Sequence, residues 1–161
     1  MMNADKFWPI IEATWSNVPS LDIIRAITVK TNDQELLPEL SNAMEVQILP
    51  HFKEALAKLD KKTLTNFILF QEAKLYQIDR QEVHQYTDGS DDGFLYSRCF
   101  ILGMGEAYYN MIDKNPKKAT MDLEAEGFGF AAYQVYEEKF GQEFDRNSVH
   151  CIESCSNEEK W

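Results

Sequence analysis

Apolar side chains recur at helical spacing along most of the chain. Phe7, Ile10, Ile11, Trp15 and Val18 fall three or four residues apart and predict an amphipathic first helix beginning near Asn3 or Asp5. Pro9 would lie past the first turn of that helix and remove a backbone hydrogen bond, so either the start is later or the helix kinks there. Val18-Pro19-Ser20 interrupts the pattern, and Ile23-Ile24 with Ile27-Thr28-Val29 is compatible with helix or strand. Asn32-Asp33-Gln34-Glu35 resembles a capping box opening a short segment through Leu40. Asn42 to Glu45 repeats the cap, and Ile48, Phe52, Leu56 and Leu59 continue one stripe, with Pro50 as a candidate bend. Beyond Asp60-Lys61-Lys62, the spacing of Leu64, Phe67, Ile68, Gln71 and Leu75 predicts another helix, pairing antiparallel with the one before it.

Residues 77–89 are polar and read as a helix end followed by a surface loop. From Phe94 to Ile112 the helical pattern is strongest, and Asn115-Pro116 ends it. A last helix is predicted from about Met121 to Phe140, with Phe130, Tyr133, Tyr136 and Phe140 on an aromatic face and Gly141 as its stop. The expected architecture is mainly α: one helical bundle of about five to six helices over residues 1–141. A partly irregular C-terminal extension, 142–161, is either packed on the bundle or flexible.

At 161 residues, one domain of this size buries roughly 70% of the surface its unfolded chain would expose, so neither metal nor disulfide is needed for folding. The 16 Lys plus Arg against 27 Asp plus Glu leave a net charge of −11, which makes phosphate backbones and anionic membranes poor partners and a basic protein surface a good one. The first residues lack a signal peptide's basic segment and apolar run, and no stretch approaches the roughly 18 apolar residues of a membrane span, so the expectation is a cytoplasmic protein. Cys99, Cys151 and Cys155 are an odd number without secretory context and read as reduced thiols.

Asp88-Gly89-Ser90-Asp91-Asp92-Gly93 resembles the opening of a calcium loop, but the twelfth position is Cys99 where a bidentate Glu belongs. The simpler reading is a helix start: Ser90 or Asp91 is the cap, and Asp91 and Asp92 face the positive end of the helix dipole. His150, Cys151 and Cys155 offer three soft ligands without the fourth that a closed zinc site requires. Cys99 reads as a core residue, and close helix packing accounts for Gly103-Met104-Gly105 better than a dinucleotide motif does. No catalytic residue, metal site or cofactor is expected. Pairs such as Glu124 with Glu126 and Glu137 with Glu138 are what a chain this acidic produces by chance.

Phe7-Trp8, Ile11-Glu12, the run Ser90-Asp91-Asp92-Gly93-Phe94 with Arg98, then Gly105, Tyr109, Asp113 with Pro116, and Tyr136-Glu137-Glu138-Lys139 before Gly141 together resemble the uncharacterised bacterial family DUF4240. The resemblance covers most of residues 5–141 and implies a helical fold without naming catalytic residues. Small families of this kind recur among immunity proteins, which neutralise toxins by covering their active sites. The resulting expectation is a non-enzymatic immunity protein binding a basic protein toxin, a nuclease first of all, through Asp88, Asp91 and Asp92 beside His84 and Tyr86, and through Glu124, Glu126, Glu137 and Glu138. The alternative is an intracellular regulatory or scaffold module binding another protein, and the third reading a metal-dependent hydrolase around Asp88, Asp91, Asp92 and His84.

Overall fold

Pro9 neither ends nor delays the first helix. In the computed structural model, which describes residues 1–161, α1 (Ala4–Ser16) runs through Pro9 on its exposed side and buries Phe7, Trp8, Ile11, Thr14 and Trp15. The N–H that proline lacks is therefore lost on the solvent face, where water can serve the carbonyl four residues back. α2 (Pro19–Thr31) makes the ambiguous isoleucine stretch helical: Pro19 stands at its start, where a missing N–H costs nothing, and Asn32 ends it in the left-handed region with φ 52°. Its buried side is Leu21, Arg25 and Thr28, while Ile23 and Ile27 point outward, which is why the apolar pattern there was ambiguous.

The two segments expected to start at Asn32 and Asn42 are one helix, α3 (37–57), made of Leu37–Ala43, a π turn Met44–Ile48 and Leu49–Ala57. The carboxylate of Asp33 accepts from the N–H of Glu35 (2.9 Å), but this closes a turn ahead of the helix, and Asn42 is an exposed position within it. The π turn directly precedes Pro50, whose missing N–H leaves the carbonyl of Val46 without its ordinary partner, and a local widening is a usual response to such a gap. α4 (Lys61–Gln77) is capped by Asp60, which accepts from the N–H of Thr63 at 2.7 Å. Its continuation is not a plain surface loop: a one-turn helix, α5 (Gln81–His84), follows, and Asp79, Val83 and Thr87 are buried.

The helix expected to be continuous from Phe94 to Ile112 is two, α6 (Asp91–Gly103) and α7 (Glu106–Lys114), because Gly105 takes φ 94° between them. α8 (Glu126–Phe140) begins later than Met121 and ends at Gly141, where φ is 67° and the N–H reaches the carbonyl of Glu137 at 2.8 Å. The total is eight helices rather than five or six, with no strand. α3 and α4, expected to pair with each other, meet through Phe52 and Phe67 (5.9 Å) but make few close backbone contacts. α8 instead runs against α3, α4 and α6 and is the central element of the bundle. Phe128 of α8 stacks on Phe52 of α3 (4.1 Å), and Gly129 lets α8 approach α6 so closely that a Cβ there would collide with Cys99. Burial pushes the Cys99 thiol up to about 12.

The last twenty residues form an irregular arm that turns back over α4, α5 and α6 and closes with a 3-10 turn, Glu158–Lys160. Of its apolar side chains, Ile152 alone is fully buried. No helix of the chain is long and apolar enough to cross a membrane.

Candidate functional site

The loop between α5 and α6 is shaped by its own polar atoms. One carboxylate oxygen of Asp88 accepts both the backbone N–H (2.7 Å) and the hydroxyl (2.6 Å) of Ser90. The hydroxyl of Ser90 accepts in turn from the N–H of Gly93 at 3.1 Å, which caps α6. Gly93 has no side chain to obstruct this, since a Cβ would strike the Asp88 carboxyl and the Ser90 hydroxyl. The two hydrogen bonds from Ser90 hold the Asp88 carboxyl below its ordinary range.

Asp91 and Asp92 stand exposed in the first turn of α6 and diverge, as neighbours on a helix must. The backbone carbonyl of Asp91 accepts from Ser154 of the arm (2.6 Å). Asp92 lies on the side of Tyr96, whose phenol is raised by burial first, then by the neighbouring carboxylate of Glu126 and the charge of Asp92. Partial desolvation raises Glu124, and the neighbouring Asp88, Asp122 and Glu126 add to the shift. Glu45, on the π turn of α3, accepts from the N–H of Phe128 (3.1 Å) in the first turn of α8. Four segments thus bring carboxylates to one side of the molecule.

A hollow of about 630 Å³ opens there, lined by Glu45, Glu124, Glu126, Gly127, Phe130 and Gln134. Phe130 and Gln134 also line a smaller adjoining hollow of about 190 Å³, where Glu137 and Glu143 meet Tyr133, Phe144 and Arg146. The Arg146 guanidinium lies over the rings of Phe130 and Tyr133 at 5.7 and 5.3 Å. The floor of this face is therefore aromatic and its walls are acidic. No group of three or more His, Cys, Asp or Glu side chains is placed to hold a metal ion. The carboxylates that line the larger hollow are hydrogen-bond acceptors.

Of the residues singled out from the sequence, the structure brings Asp88, Asp92, Glu124 and Glu126 together and sets Glu137 in the adjoining hollow. Glu138 lies apart, in a mixed hollow beside Lys53, Glu54 and Lys139. His84 packs edge-on against Phe94 (5.0 Å) and beside Trp161 (5.2 Å), and its charge touches the site only through Asp88. Tyr86 is half-buried in the same loop. His150 lies tilted against Tyr76 (5.0 Å), and the three cysteines are free thiols. Glu45, Tyr96 and Phe130 were not foreseen as site residues. The spacing of Tyr96 four residues after Asp92 on a helix was the available signal for one of them.

A family model described as a protein of unknown function, DUF4240, matches residues 2–138. No curated protein and no solved structure matches the chain.

Proposed function

The chain belongs to the DUF4240 family, whose description assigns no function, and from that premise we propose that it is a non-enzymatic immunity protein that binds a basic protein toxin, a nuclease, and covers its active site. The observation that carries this reading is the hollow in which Glu45, Glu124 and Glu126 surround Phe130, with Asp88 near enough to act on Glu124 and Asp92 on Tyr96. A nuclease surface is basic because it binds phosphate. Carboxylates held by caps and helix turns offer such a surface a ready-made array of acceptors, and Phe130 and Tyr96 add apolar area that a cation can stack on. The net charge of −11 extends the attraction beyond the contact itself and speeds encounter at low salt.

Tagged protein is to be used for capture from its native cells at low and moderate salt, with the bound chains identified by mass spectrometry. The expected result is a stoichiometric basic nuclease fragment, retained at low salt and weakened as salt rises. Glu124→Lys with Glu126→Lys should lower its affinity by tenfold or more, on the order of 1–2 kcal/mol for juxtaposed like charges. Recovery of metabolic proteins alone would replace this reading with a regulatory or scaffold module.

A further inference from the structure

Three charged side chains of the helical bundle are fully buried, and most of their polar partners come from the arm. Asp79, between α4 and α5, accepts from the backbone N–H groups of Cys155 (3.1 Å), Ser156 (2.7 Å) and Asn157 (3.0 Å) and from the indole of Trp161 (3.1 Å). Arg98, on α6, donates to the carbonyl of Ile152 (2.8 Å) and the hydroxyl of Ser154 (3.3 Å), and within the bundle to the carbonyl of Leu75 (3.0 Å). Glu72, on α4, accepts from the N–H of Asn147 (3.2 Å) and from Tyr133 (2.9 Å). Asn157 adds a bond to the carbonyl of Tyr76 at 2.9 Å.

None of the three charges makes a direct ion pair, although Asp79 acts on Arg98 through space and Arg146 and His150 act on Glu72. Burying an ion without a counter-ion costs several kcal/mol unless dipoles replace its water, and here the dipoles belong largely to the arm's backbone. Even so, the match is incomplete: Nε of Arg98 and one oxygen of Glu72 have no partner. The arm's apolar burial is limited to Ile152 and the partly buried Phe144, while Val149 is 66% exposed and Trp161 36%. Departure of the arm would thus return ions to water more than it would open a hydrophobic core. The family match, residues 2–138, contains Glu72, Asp79 and Arg98 and stops short of the arm, and Gly141 in the left-handed region marks the joint between the two.

We infer that the cleft formed by α4, α5 and α6 is a peptide-binding site, that the arm is its in-cis ligand, and that a segment of another chain with the arm's chemistry can take its place. The ligand class follows from the contacts. It is an extended segment with an aliphatic anchor at the position of Ile152, a hydroxyl two residues on, three successive N–H groups for the Asp79 carboxylate, and an indole four residues after the last of them. Cys155, at φ 66°, turns those N–H groups toward one anion. The inference is independent of the toxin reading, because none of these three charges lines the acidic hollow.

The test uses the whole chain with a specific protease site inserted between Gly141 and Gln142, so that cleavage leaves bundle and arm together without a covalent joint. A fluorescent peptide of residues 142–161 is then followed by anisotropy, and the helical circular dichroism of the bundle is followed alongside. The expected result is that the peptide exchanges into the cleaved protein while the helical signal is kept. The uncleaved protein should bind it at least about a hundredfold more weakly, because the tethered arm competes at high effective concentration. Peptides carrying Ser156→Pro or Trp161→Ala each remove one donor to Asp79 and should bind at least about tenfold more weakly. Changing the peptide rather than the protein keeps this comparison free of folding defects. Failure of the peptide to exchange, unfolding of the bundle when the arm leaves, or equal binding of all three peptides would overturn the inference.

Discussion

Asp88 and Asp79 lie nine positions apart in a chain rich in acid, and their surroundings differ in kind. Asp88 belongs to a face where Asp92, Glu124 and Glu126 stand exposed, and where partial desolvation first, then the charges of Asp88, Asp122 and Glu126, raise Glu124. Asp79 has no exposed surface and receives four N–H groups. On the outer face Asp92, Glu124 and Glu126 keep spare acceptor capacity, and Asp88 keeps one oxygen free beside the one that accepts from Ser90. In the cleft that capacity is used up, and the carboxylate fixes where the arm lies. The same residue type is therefore a candidate for external binding in one place and an internal anchor in the other, and the number of donors already satisfied tells them apart.

Removal of the Asp79 carboxylate is the largest expected break in this contrast. Asp79→Ala leaves three backbone N–H groups and an indole without their acceptor, for a loss of about 3–5 kcal/mol. Hydrogen exchange should show it as lost protection at Cys155, Ser156 and Asn157, and amides that stay protected would mean that other contacts hold the arm. Glu72 gives a smaller effect of opposite sign. Burial raises its carboxyl above the ordinary value of 4.5, against the lowering by Asn147 and Tyr133, so the folded chain holds that proton more tightly than the unfolded chain. Its contribution to stability is thus most favourable at and below pH 4.5 and declines as pH rises through the elevated folded value. Glu72→Gln removes the charge and should stabilise the protein by about 1 kcal/mol at pH 7. The gain should shrink in urea titrations toward pH 4.5, and a gain that is constant across pH would sink the assignment to ionisation.

Helical class, the stop at Gly141, the core position of Cys99 and the cap at Ser90 were all legible, because each depends on local spacing or on one residue's backbone preference. The count of helices was not. Gly105 reads as a packing glycine until its φ of 94° is known, and the strong helical pattern over Phe94 to Ile112 hides the break that it makes. Conversely, Asn42 has cap chemistry, but the helix had already begun upstream at Leu37, so nothing there needed capping. At the acidic face, Asp88 and Asp92 share a segment and could be grouped by eye, whereas their proximity to Glu124 and Glu126 depends on how α6 packs beside α8. The cleft was the least legible part. Asp79 reads as part of a surface loop, and only a distant arm that covers it makes it interior.

The cap at Ser90 joins the two regions, since α6 carries Asp92 toward the acidic face and Arg98 into the cleft. Ser90→Ala should cost about 1 kcal/mol, read as a lower urea midpoint. It should also raise the Asp88 carboxyl part of the way toward its ordinary range, because the hydroxyl supplies the first of the two hydrogen bonds that lower it while the backbone N–H remains.

Neutralising the acidic face should barely move stability. Glu124→Gln with Glu126→Gln relieves mutual repulsion among exposed carboxylates, a gain of no more than about 0.5 kcal/mol once solvent screening is allowed for. The expected record is a urea midpoint at or slightly above that of the parent chain, together with weaker capture of the cationic partner at low salt. A substantial loss of stability would show that these two carboxylates accept structural hydrogen bonds, as Asp79 does. The face would then have no spare acceptors to offer, and the distinction between binding carboxylates and anchoring ones would collapse.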